Sequence, residues 1–358
     1  MKQFLLKILL FLPIPIIFIS INYIFDPAHV FKNGQYEKGI ASLSLEGKNI
    51  TNISEYDERI VRKYYIEGLQ TKKDLLVIGS SRLLTIRSEH FPNVAFYNSS
   101  VGNPSLEDLI TVYWMYRKKN FGPTKIIIGA DPWLLNKNNG QSGYRSIMDD
   151  WLQAAQNLSI SKTEVPKPIN YIPEKYLELV SISYFQESIN KLIKTLQGKE
   201  ESKKFSETTD QVADTSVMLS DGSINFSRRL RLATVAEVNE MAIIYAQNNP
   251  VYGLGNYQML DTTLEEDFTK FINLVNGDGN EIILYLPPYH PLTYSLLTSN
   301  EKYRIIIDAQ EYFKKVSADK NIKLVGSYNP KDLNLNKSDF YDAMHVKETG
   351  IEKVLKDI

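Results

Sequence analysis

Three short apolar runs constrain this chain more than any other feature. Asp74-Leu-Leu-Val-Ile78 closes on Gly79, Lys125-Ile-Ile-Ile128 closes on Gly129, and Glu281-Ile-Ile-Leu-Tyr-Leu286 closes on two prolines. Runs that are apolar at consecutive positions, not alternate ones, suit strands buried on both faces, as in a parallel sheet with helices above and below. Weaker runs at 94–97 and 322–325 read the same way. Segments with helical spacing separate them, at 54–70, 105–119, 264–275, 301–320 and 347–356. Ser105 followed three residues later by Asp108 is a capping-box-like start for the second of these. The alternation predicts an α/β domain whose parallel sheet is covered on both sides.

The alternation lapses between residues 136 and 256, where Gly, Asn, Ser and Thr are frequent and helical spacing returns only around 176–197 and 235–247. Because the strand pattern resumes afterwards, the block reads as a mostly helical insertion within one domain spanning 71–358. Such insertions commonly shape access to a site. Ahead of the domain lies a linker and helix, 26–70, and ahead of that a different kind of sequence. Residues 8–25 are almost wholly apolar, Lys2 and Lys7 precede them, and Asp26 follows. That length approaches the ~20 residues a helix needs to cross a bilayer. No small-x-small cleavage site follows, so residues 1–25 are expected to be an uncleaved, single-pass transmembrane signal anchor, with the N-terminus cytoplasmic and everything after the anchor exported as an extracytoplasmic domain. A cleaved signal peptide is the alternative; a buried core helix would suffer from Pro13 and Pro15.

Composition removes several function classes. With 41 basic against 42 acidic residues, the net charge of −1 gives nucleic acid no electrostatic footing. Absence of cysteine excludes disulfides, thiol nucleophiles and thiolate metal sites. Four histidines, His29, His90, His290 and His345, leave little for a metal centre, and none is expected. No GxxxxGK[ST], GxGxxG or HExxH occurs, so no cofactor is expected either.

Two motifs can carry chemistry. Gly79-Ser80-Ser81-Arg82 follows the first strand, and ligands of open parallel sheets bind at the carboxyl ends of strands. A serine in that turn faces solvent, or else merely caps a helix. Asp342-Ala-Met-His345 lies after the last strand. At that spacing a carboxylate can turn back onto the imidazole and fix its tautomer, so that the other ring nitrogen takes a proton from a hydroxyl. The competing reading is a capping Asp beside an incidental His.

Together with Asn98-Ser-Ser-Val-Gly102 after the second strand, these motifs resemble those of the SGNH/GDSL hydrolase superfamily. The likeness covers 74–129 and roughly 281–358, and is nearest to membrane-anchored bacterial proteins that O-acylate cell-surface polymers, such as the D-alanine transfer protein and the alginate acetylation proteins. It implies a flavodoxin-like three-layer sandwich. It also implies a Ser81–His345–Asp342 triad, and an oxyanion hole built from the N–H groups of Ser81 and Gly102. The family's third block, Gly-x-Asn-Asp, is here Gly129-Ala130-Asp131-Pro132. Asp131 thus stands where an oxyanion-stabilising Asn is expected, and an ionised carboxylate there would repel the oxyanion. The resemblance further implies a bacterial cell-membrane location, a cell-surface polysaccharide or other hydroxylated polymer as substrate, and a membrane-bound O-acyltransferase partner. The expected activity is serine acyl transfer or ester hydrolysis; the alternative is a catalytically degenerate protein serving in polysaccharide binding or assembly. Arg82, Trp133, Tyr289 and His290 are candidate substrate contacts, each with a plain packing or surface alternative. Arg228, Arg229 and Arg231 form a small basic cluster, either a solvated helix face or a patch for lipid head groups.

Overall fold

The computed structural model of the chain describes residues 13–26, 31, 34–54, 56–160, 174–197, 205–356 and 358. At its centre lie five parallel strands: β1 (Leu75–Ile78), β2 (Phe96–Asn98), β3 (Lys125–Gly129), β4 (Glu281–Leu286) and β5 (Lys323–Gly326). Their spatial order is β2-β1-β3-β4-β5. This is the doubly wound order in which the winding reverses between β1 and β3, where ligands of such sheets bind. All of β1 is buried, as are all but the first residue of β3 and of β4. Alternate residues of each strand serve two separate cores. Leu76, Ile78, Ile126, Ile128 and Leu284 join Leu109, Phe268, Phe271 and Phe313 on one side; Leu75, Val77, Ile127 and Ile283 join Leu83, Phe340, Ile351 and Val354 on the other. Burying each such side chain is worth about 1.5–3 kcal/mol, so the sheet is the main source of stability.

The first core is covered by the helices Leu106–Lys118, Thr262–Gly277 and Ile305–Lys320. Asp108 accepts a hydrogen bond from the Ser105 N–H at 2.9 Å and so closes the start of the first of these helices. The second core is covered by Glu348–Leu355 and by Val238 of the helix Val235–Gln247.

Two glycines set the spacing at the carboxyl edge. A Cβ on Gly129 would lie 2.8 Å from Leu83 Cδ1 and 3.2 Å from the Gly79 Cα; one on Gly79 would lie 3.1 Å from the Gly129 Cα. The ends of β1 and β3 are therefore in backbone contact, with the fully buried Leu83 laid over them.

The insertion holds the helices Met148–Asn157, Ile182–Leu196 and Val235–Gln247, and it also carries strands that the sequence pattern does not show. Three short strands, Ser206–Thr208, Val217–Met218 and Ile224–Asn225, pair antiparallel in a second sheet of order 206–208, 49–51, 217–218, 224–225. One member, Asn49–Thr51, comes from ahead of the α/β domain. Strands of two or three residues carry too few positions to show a period of two. The turn before the last strand docks on β2: the Asn98 N–H donates to the Asp221 carbonyl at 2.8 Å. Gly222, at φ +81°, leaves no room there, since a Cβ would stand 2.2 Å from the Asn98 carbonyl oxygen.

One expectation is corrected, the transmembrane helix. Among the described residues no helix is long and apolar enough to cross a membrane. The N-terminal helix, Pro13–Phe25, has 13 residues, giving a rise of about 20 Å against a hydrocarbon core of about 30 Å. Residues 1–12 of the expected span lie outside the described residues. Phe18 stacks on Phe185 with ring centroids 4.2 Å apart, and the Asn22 amide donates to the carbonyls of Glu178 and Leu179 at 3.1 and 3.0 Å.

Gly129→Ala is expected to destabilise the protein by about 1–3 kcal/mol through overpacking against Leu83 and Gly79. Urea unfolding measures the loss; an unchanged midpoint would show that the two strand ends can separate freely.

Candidate active site

The turn after β1 divides its two serines between different tasks. Ser80 is buried, and its hydroxyl accepts the Arg82 N–H at 3.2 Å, capping the single 3₁₀ turn Ser81–Leu83. Ser81 is left as the partly exposed first residue of that turn. Its own N–H makes no hydrogen bond among the described residues. Thus the capping role that a serine here can play falls to Ser80, and the Ser81 hydroxyl is available for another partner.

That partner comes from the tail. Residues 340–346 fold back on themselves: Phe340 bridges Val346, and the Tyr341 N–H donates to the His345 carbonyl at 2.8 Å. Inside this loop Asp342 accepts the N–H groups of Met344 and His345 at 2.9 Å each. Its carboxylate also meets His345 Nδ1, at 2.8 Å from Oδ2 and 3.0 Å from Oδ1. An ionised carboxylate only accepts, so the ring proton belongs on Nδ1 and Nε2 presents a lone pair. His345 Nε2 stands 3.0 Å from Ser81 Oγ. Ser81, His345 and Asp342 therefore form one hydrogen-bonded chain. The imidazole and carboxylate are 17% and 23% exposed, so solvent and small solutes can reach them.

Burial works against the charge on Asp342, but the adjacent imidazole and the hydrogen bonds from the ring and from two backbone N–H groups prevail, holding its pKa at about 2. His290 behaves differently. Burial, with some help from Lys337, brings its pKa down to about 4. Its Nδ1 accepts the Leu292 N–H at 3.2 Å, so the neutral ring caps the helix Pro291–Ser299.

Asp131 lies 0% exposed after β3 and makes an ion pair with Arg82, 3.0 Å from Nη1 to Oδ1. Burial raises the carboxyl pKa and the guanidinium opposes the rise. Arginine keeps its proton, and a buried guanidinium requires a counter-charge, so the pair is ionic in the neutral range. Asp131 offers no donor in this state. The guanidinium also lies 4.1 Å from the centroid of the Tyr289 ring and 5.9 Å from that of Trp133. Trp133 donates its indole N–H to the Pro104 carbonyl at 3.1 Å. Arg82, Trp133, Tyr289 and His290 are all buried to 1% exposure or less, so none of them is an exposed wall of the site as the candidate substrate contacts would require.

The loop after β2 is gripped by the helix Glu58–Gly68, whose N-terminus is capped by Asp57. Arg62 donates to the carbonyls of Ser100 and Gly222. Arg59 donates to those of Gly102 and Asn103 and pairs with Asp108 at 2.7 Å. The Glu58 carboxylate accepts the Gly102 N–H. Of the N–H groups expected for an oxyanion hole, the one on Gly102 is thus already engaged and the one on Ser81 is open.

Two neighbours of the site are absent from the sequence reading. Glu58 sits in a helix recognisable only by its apolar spacing, and no sequence signal links it to residue 102. Phe226 follows the last strand of the antiparallel sheet, and its ring lies 5.3 Å from the His345 ring and 5.1 Å from that of Tyr341. The arginines just beyond it serve the insertion itself: Arg228 pairs with Asp214 at 3.3 Å, and Arg231 donates to the carbonyls of Val212 and Ala213. Comparison of the sequence with protein-family models and with curated proteins finds no match.

A carboxyl held below its ordinary pKa stabilises the fold above that ordinary range, and the contribution is lost as the pH falls through the folded value. Wild type should therefore exceed Asp342→Asn in stability by up to roughly 2 kcal/mol at pH 7, and the gap should close as the pH drops from about 4 toward 2. Urea titrations of both proteins at several pH values measure this. A gap that stays constant with pH would refute the assignment.

Proposed function

We propose that this protein is a serine esterase or O-acyltransferase that works through an acyl-enzyme on Ser81. The observation that carries the reading is the unbroken chain from Ser81 Oγ to His345 Nε2, 3.0 Å, and from His345 Nδ1 to Asp342, 2.8 Å. In this scheme His345 takes the Ser81 proton as Oγ attacks the ester carbonyl. Asp342 holds the tautomer and stabilises the imidazolium. His345 then returns the proton to the leaving alkoxide. Water or an acceptor hydroxyl, deprotonated by the same nitrogen, releases the acyl group and frees Ser81. Partial exposure of the pair supports access for water; transfer requires an acceptor that competes with it. The motifs at 79–81, 98–102 and 342–345 favour acyl esters of a cell-surface polysaccharide or related hydroxylated polymer as substrate.

The test is reaction of the full chain with a fluorophosphonate probe. Wild type should label, Ser81→Ala should not, and His345→Ala should label about a thousandfold more slowly. A well-folded wild type that fails to label would overturn the reading.

One observation favours a second reading, a polymer-binding protein that has lost its chemistry: the Gly102 N–H is given to Glu58 and Asp131 offers no donor. Removing one oxyanion donor costs about 10²–10³ in rate. Under the enzymatic reading Glu58→Ala, which releases the Gly102 N–H, should raise p-nitrophenyl acetate hydrolysis several-fold. No hydrolysis by either protein, with polymer binding retained in Ser81→Ala, would favour the binding reading.

A further inference from the structure

The residue after the nucleophile is a charge placed where no solvent reaches it. Arg82 is 1% exposed, and its guanidinium touches three separate loops at the carboxyl edge of the sheet. Nη1 donates to Asp131 Oδ1 after β3 at 3.0 Å, and Nη2 donates to the Pro287 carbonyl after β4 at 2.5 Å. Nε points to the Met344 carbonyl at 3.4 Å, a longer contact. The ring of Tyr289 lies against the guanidinium.

The third contact bears on the triad. The Met344 carbonyl and the His345 N–H belong to one planar peptide group. Its oxygen faces Arg82 Nε, and its N–H donates to Asp342 Oδ1 at 2.9 Å. The peptide that carries the His345 Cα is thus held from both sides, by the residue next to Ser81 and by the third member of the chain. A buried guanidinium is costly, and an apolar side chain of similar volume often serves packing as well or better. What an apolar side chain cannot supply is a planar fork whose donors fix several acceptors at set angles.

We propose that Arg82 is a positioning residue that sets the Ser81–His345 separation by fixing the Met344–His345 peptide, and that Asp131 is its counter-ion and not a member of an oxyanion hole. This assigns a role to the carboxylate that stands where an amide was expected. The catalytic part of the proposal rests on the acyl-transfer reading above; the geometric part does not.

Removing Arg82 alone would strand Asp131 as an unpaired buried carboxylate, so the informative variant is the double one, Arg82→Gln with Asp131→Asn. Arg82→Lys keeps the charge and removes the fork. Turnover of p-nitrophenyl acetate is measured together with the strongly deshielded His345 Nδ1 proton by NMR. In the folded double variant kcat should fall about 100-fold, the scale of a 1 Å misplacement, with KM within about twofold. Arg82→Lys should lose about tenfold, and the deshielded proton should shift in both. If the double variant does not fold, Arg82→Lys alone decides. A folded variant with kcat within about threefold of wild type and an unmoved His345 signal overturns the proposal. If wild type shows no turnover at all, the acyl chemistry fails; a His345 signal that still moves in the variants sustains the positioning role, and one that stays fixed sinks that too.

Discussion

Because the five strands run parallel, every carboxyl end falls on the same edge of the sheet, and the rest of the architecture follows from that constraint. Ser81 leaves β1, Asp131 leaves β3, Pro287 leaves β4 and the loop with Asp342 and His345 follows β5. Residues separated by 264 positions in sequence come to a 3.0 Å contact without any long excursion of the chain. The close approach of Gly79 and Gly129 fixes where that edge begins, so the two-sided burial of the strands positions the Ser81–His345–Asp342 chain as well as the core.

Polar order at this edge is bought with buried charge. The Arg82–Asp131 pair lies under the turn that carries Ser81, and the Arg59–Asp108 pair lies under the loop after β2, both with nearly full exclusion of solvent. Such pairs add little net stability over apolar packing, because desolvation consumes most of the Coulombic gain. Their value is directional: each guanidinium divides its donors between a carboxylate and backbone carbonyls of neighbouring loops. Loops of a sheet edge lack a ladder of their own, and these forks replace it.

The strands were legible in the sequence because burial on both faces leaves continuous apolar runs, and β4 occupies the same residues in sequence pattern and structure. Ser81, Asp342 and His345 were legible because Gly-x-Ser after a strand and Asp-x-x-His are local patterns. Arg82 and Asp131 were legible only as separate residues. Their pairing spans 49 positions, and an arginine after a turn ordinarily reads as solvated. The antiparallel sheet was hidden by strands too short for a period, and the Glu58–Gly102 bond by its distance along the chain. At the N-terminus, hydropathy counts apolar residues but not their partners; the described helix runs Pro13–Phe25, and part of its surface is taken up by the segment around Phe185.

The polypeptide before β1 is woven into the site it precedes. Asn49–Thr51 supplies an inner strand to the sheet that leads to Phe226, and the helix Glu58–Gly68 holds the loop containing Ser100 and Gly102. A fragment trimmed to start at β1 would keep the strands and the Ser–His–Asp residues yet lose the scaffolding on two of their flanks. For expression of the isolated α/β unit, the sensible boundary therefore lies upstream of residue 49, well ahead of where the strand–helix alternation first becomes visible.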